Sequence, residues 1–72
     1  MCIVTLHNVH KDYIDEIMEI CDRLEINNCL YDNTIDLYDV DIRIHGADVY
    51  ICIGNVHIMN INTELVKEIV VQ

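Results

Sequence analysis

Apolar residues along this chain recur with two different periods, and the change from one to the other organises the reading. Over residues 2–7, Cys2, Val4 and Leu6 alternate with Ile3, Thr5 and His7, which reads as a short strand. Tyr13, Ile14, Ile17, Met18, Ile20, Cys21 and Leu24 then recur at intervals of three and four, the spacing of a helix with one broad buried stripe. This helix is expected to run from about residue 9–11 to 26. Asn8 is its expected N-terminal cap, and Asn27-Asn28 its left-handed stop.

Between Cys29 and Ile61 the period drops from 3.6 to 2. Val40, Ile42 and Ile44 alternate with Asp39, Asp41, Arg43 and His45, while Val49, Ile51 and Ile53 alternate with Tyr50 and Cys52. A third strand, Val56 to about Ile61, is expected to place Val56 and Ile58 on the inner face. Gly46-Ala47 and Gly54-Asn55 supply the breaks, the second suiting a two-residue hairpin turn with glycine first. Upstream, Asp32-Asn33 is another turn candidate. Ile35 and Leu37 are out of step with Val40, a mismatch that a bulge near Tyr38-Asp39 would correct. Thr63 and Glu64 are expected to open a C-terminal helix whose apolar side is Leu65, Val66, Ile69 and Val70. The expected fold class is therefore α+β, ordered β-α-β-β-β-α. It has an antiparallel-rich sheet of three to four strands with helices packed on one face. The core order resembles that of the double-stranded-RNA-binding domain, but the basic helix such a domain turns toward phosphates is missing.

Seventy-two residues make a single domain near the lower size limit for one hydrophobic core. Phe and Trp are absent, so that core must be built from Ile, Val, Leu, Met and Tyr, and a homodimer would usefully bury more apolar surface. No apolar run approaches the ~20 residues needed to cross a membrane. Cys2, Cys21, Cys29 and Cys52 show no C-x-x-C spacing, and no secretory apolar segment is evident. These features predict a cytoplasmic protein with free thiols.

Charge narrows the function. Four Lys and Arg against thirteen Asp and Glu give a formal charge of −9, which opposes direct binding to a phosphate backbone and favours basic protein surfaces. Asp12, Asp15, Glu16, Glu19 and Asp22 stand three and four apart on the polar side of the expected helix. Residues at that spacing are about 5–6 Å apart, close to the spacing of phosphates along a nucleic-acid strand. Asp36, Asp39 and Asp41 extend the acidic set, for which the alternative reading is an ordinary solvated surface.

Strand register supplies a second constellation. With two-residue turns at Gly46-Ala47 and Gly54-Asn55, Asp41, Cys52 and His57 fall in one row on the outer sheet face. Such a row is a weak candidate for a thiolate or a metal site, since an open sheet face offers neither a pocket nor oxyanion donors. His7 and His10, three apart, lack the further ligands a metal requires. Tyr50, Cys52 and Met59 on the same outer face suggest a contact or dimer surface. No Ser-His-Asp spacing, H-E-x-x-H or phosphate-cradling glycine loop occurs, so the sequence predicts neither an enzyme nor a cofactor.

In size, charge and mixture of helix with antiparallel sheet, the chain resembles the small acidic inhibitors encoded by phages and mobile elements, notably anti-CRISPR proteins. The resemblance implies a charge mimic of nucleic acid that blocks the nucleic-acid-binding surface of a partner. The alternatives are a structural homodimer or small-complex subunit, and a metal- or thiol-dependent regulator.

Overall fold

The computed structural model describes residues 2–72 and is α+β, with one helix and seven strands among those residues. In chain order they are β1 (Ile3–Val9), α1 (Lys11–Arg23), β2 (Asn28–Tyr31), β3 (Thr34–Tyr38), β4 (Asp41–His45), β5 (Asp48–Ile53), β6 (Val56–Ile61) and β7 (Val66–Val71). Two antiparallel sheets form in place of the single sheet expected, one ordered β2-β3-β1-β7 and the other β4-β5-β6.

The helix follows its apolar stripe, with Tyr13, Ile14, Ile17 and Cys21 buried. Both of its ends differ from expectation. His10 is the N-cap, its Nδ1 accepting from the Asp12 backbone N–H at 3.2 Å. Asn8 lies inside β1 with a φ of +54°. A regular strand would turn Leu6 and Val9, three residues apart, to opposite faces. The left-handed Asn8 re-aims the chain so that both join the core, at 0% and 2% exposure. At the other end, the Glu25 N–H donates to the Asp22 carbonyl and the Ile26 N–H to the Cys21 carbonyl. Together these bonds make a Schellman closure with Glu25 as its left-handed residue, φ +55°. The helix thus stops ahead of Asn27-Asn28, and Asn28 opens β2.

The expected C-terminal helix is a strand. Val66, Ile69, Val70 and Val71 are β-branched, and β1 presents an unpaired edge that β7 fills in antiparallel register, with Val4 opposite Val71, Leu6 opposite Ile69 and Val9 opposite Val66. Asn62 makes the turn ahead of it, accepting the Leu65 N–H on its carbonyl and the Glu64 N–H on its side chain. Thr63 therefore caps no helix.

The turns hold as read. Asp32 and Asn33 both have positive φ, the signature of a type I′ hairpin, and join β2 to β3. Gly46 and Gly54, at φ +64° and +60°, are the first residues of two-residue turns between His45 and Asp48 and between Ile53 and Val56. The mismatch at Tyr38-Asp39 has another cause than a bulge: β3 ends there, Asp39 turns left-handed at φ +60°, and the chain crosses to the second sheet. Ile35 and Leu37 reach the core from β3, and Val40 reaches it from the crossing between the sheets. A register shift does occur in the β5–β6 pair, where Ile51 faces Met59 but Cys52 faces His57, leaving Ile58 extra. It turns Met59 and Ile61 inward, each 5% exposed, while Val56, expected inside, keeps its regular place opposite Ile53 at the hairpin tip and is 64% exposed.

One hydrophobic cluster draws on α1 and both sheets. Leu6, Ile17, Ile35, Leu37 and Ile51 are wholly buried, each stabilising the fold by about 1.5–3 kcal/mol through removal from water. The Tyr13 hydroxyl ties the helix to the second sheet, accepting the Asn62 N–H at 2.8 Å and donating to the Asn60 carbonyl at 3.3 Å. No helix among the described residues is long and apolar enough to cross a membrane.

Candidate functional site

The apolar side of α1 is committed to the core, so its remaining positions must face solvent. Asp12, Asp15, Glu16, Glu19 and Asp22 are all exposed. Among the described residues no Lys or Arg lies within ion-pair distance of the row, and the one contact with a basic side chain is a loose 4.0 Å approach of His10 Nδ1 to Asp12 Oδ2. Lys11 and Arg23, at the two ends of the helix, are likewise exposed. Like charges at this spacing cost a helix a few tenths of a kcal/mol per pair, so the packing of the other side is what holds the row in place.

Asp36, Asp39 and Asp41 do not extend that row. Asp39 is exposed at the crossing between sheets, and Asp41 is exposed at the start of β4. Asp36 lies in mid-β3, cross-strand from Thr5 and Cys29. Its neighbours Ile35 and Leu37 pack into the core with Val4, Leu6 and the helix, so Asp36 points from the opposite face of the sheet.

On the second sheet the expected register is present: Asp41 pairs with Cys52, and Cys52 with His57. The row does not close into a site. Cys52 is only 4% exposed, whereas Asp41 and His57 are open to solvent. The His57 ring instead meets Tyr50 edge to face, centroids 4.9 Å apart, and Arg43 Nη2 reaches the Gly54 carbonyl at 3.4 Å and Asn55 Oδ1 at 3.5 Å. Among the described residues, no group of three or more His, Cys, Asp or Glu side chains is arranged to hold a metal ion.

The contact face assigned to Tyr50, Cys52 and Met59 needs correction. Tyr50 is half-buried, Cys52 is buried on the outer face, and the β6 irregularity has carried Met59 into the core. Large apolar side chains are exposed instead at Ile44 (70%) and Val56 (64%), on different strands of the second sheet.

The outer face of the four-stranded sheet carries a group that the acidic pattern alone did not separate out. The Thr5 hydroxyl, 6% exposed, donates to Asp36 Oδ1 at 2.6 Å. Partial desolvation, then a hydrogen bond to the Asp36 carboxylate and the charge of that carboxylate, push the Tyr31 phenol above its ordinary range, and Tyr38 is raised by desolvation and the Asp36 charge. The signal was available in the alternation of β3, where Thr34, Asp36 and Tyr38 interleave with Ile35 and Leu37. Elsewhere, burial and then the neighbouring Asp22 charge push the Cys21 thiol up. Tyr50 is raised by partial desolvation and by Asp48, whose Oδ2 accepts its hydroxyl at 3.4 Å.

Compared with protein-family models, with curated proteins and with solved structures, this chain finds no match.

Proposed function

We propose that this chain is a small acidic protein-binding inhibitor that offers the outer side of α1 to a basic, nucleic-acid-binding surface of a partner, in the manner of a nucleic-acid charge mimic such as an anti-CRISPR protein. The observation that carries this reading is the row of five exposed carboxylates on α1, which no Lys or Arg of the described residues neutralises. A helix anchored by its apolar side holds such a row without further backbone ordering on binding, and long-range attraction to a cationic groove speeds encounter. The protein itself does not bind nucleic acid in this reading, and no catalytic step is assigned to it.

The test is affinity capture from the native host, identification of the retained protein, and titration of that complex with salt. Affinity is expected to fall steeply with ionic strength. Glu16→Lys with Glu19→Lys is expected to weaken the complex far more than Glu64→Lys, which lies outside the helix. Equal effects of the two changes, or salt-independent binding, would remove the reading.

A homodimer is the second reading, favoured by the exposure of Ile44 and Val56 on a chain this small. Sedimentation of wild type against Ile44→Ser with Val56→Ser separates the two, because only a dimer built on those residues would dissociate.

A further inference from the structure

Twelve of the thirteen Asp and Glu side chains are exposed; Asp36 is the exception, half-buried in the middle of β3. Its Oδ1 takes the Thr5 hydroxyl, but among the described residues no Lys, Arg or His lies within ion-pair distance of it. Removing a carboxylate from water without supplying a cation is unfavourable, and the lone pairs of Asp36 not taken by the Thr5 and Tyr31 hydroxyls stay available to a donor. Tyr31 and Tyr38 stand beside it, close enough for its charge to raise both phenols. Tyr31 keeps 46% of its surface open, and none of these groups belongs to the core cluster, because α1 packs on the other face.

We propose that Asp36, framed by Tyr31 and Tyr38 on the open face of the four-stranded sheet, seats an arginine side chain of a basic partner. A planar guanidinium donates in its own plane to a carboxylate while its face lies against an aromatic ring, two demands that this grouping meets together. The three strands around it, β2, β3 and β1, contribute no competing Lys or Arg. The inference rests on the reading that the partner is basic, but not on α1, which lies on the opposite side of this sheet.

The test titrates the isotope-labelled chain with N-acetyl-arginine amide, taking the citrulline analogue as an uncharged control, and follows backbone amide shifts. Saturable shifts are expected at Thr5, Tyr31, Asp36 and Tyr38. Binding should weaken about tenfold in Asp36→Asn, which keeps an acceptor for Thr5, and about threefold in Tyr31→Leu, whose exposed site tolerates change. Glu16→Lys with Glu19→Lys should leave the titration unaltered, so failure here and failure of the helix reading are told apart. Equal binding of the citrulline analogue, shifts confined to α1, or unchanged affinity in both Asp36→Asn and Tyr31→Leu would overturn the proposal.

Discussion

The Ile26 N–H donates to the Cys21 carbonyl at 2.9 Å, and both side chains are buried beneath the turn so formed. The closure depends on Glu25 holding a φ of +55°, a conformation that costs a residue with a Cβ about 1 kcal/mol or more. Glu25→Gly is therefore expected to raise stability by about 0.5–1 kcal/mol in urea unfolding, the gain being reduced by glycine's freedom in the unfolded chain. A loss of stability would mean that the Glu25 side chain makes contributions beyond its backbone.

The irregularity in β6 carries Met59 into the core, whereas Val56 stays exposed at the hairpin tip. Met59→Ala is expected to destabilise by about 2–5 kcal/mol, whereas Val56→Ala should stay within about 0.5 kcal/mol of wild type. Reversal of that order would place Met59 outside the core.

The Tyr13 hydroxyl serves two backbone groups at once, one of them in the loop before β7. Tyr13→Phe keeps the ring but leaves the Asn62 N–H and the Asn60 carbonyl to find other partners, at an expected cost of about 1–3 kcal/mol. Hydrogen exchange of the Asn62 amide should speed up more than that of the β2–β3 hairpin.

Burial raises the Cys21 thiol above its ordinary value of 9.0. The folded state therefore keeps that proton at a pH where the unfolded chain has begun to release it, so stability is expected to fall as pH rises from the ordinary value toward the raised one. Below the ordinary value this contribution is fully present. In Cys21→Ala the alkaline slope between about pH 8 and 10 should flatten, apart from the uniform cost of the cavity. Thiol labelling at neutral pH should reach exposed Cys29 well before Cys21.

These residues also mark what the sequence discloses. The helix stripe, the Asp32-Asn33 turn and the two glycine-first turns were legible because each rests on a local rule: side-chain periodicity, or a backbone conformation few residues accept. The register of Asp41, Cys52 and His57 followed from the turns alone. Whether Val66 to Val71 coil or extend was decided by the free edge of β1, sixty residues away in the chain and invisible to any local window. The extra residue at Ile58 left alternating apolar letters on either side of it, so both registers looked sound on paper. Asp36 was picked out as an acid, yet its isolation from the other twelve emerges only once β3 is placed between β1 and β2.

Asn8, Glu25, Asp32, Asn33 and Asp39 all hold positive φ, and all five side chains are exposed. In a saturation library these surface positions should disfavour valine, isoleucine and threonine, while accepting glycine. Much of the information that selects this architecture is thus written on the outside of the molecule, where a solvent-exposure argument would assume substitutions to be free.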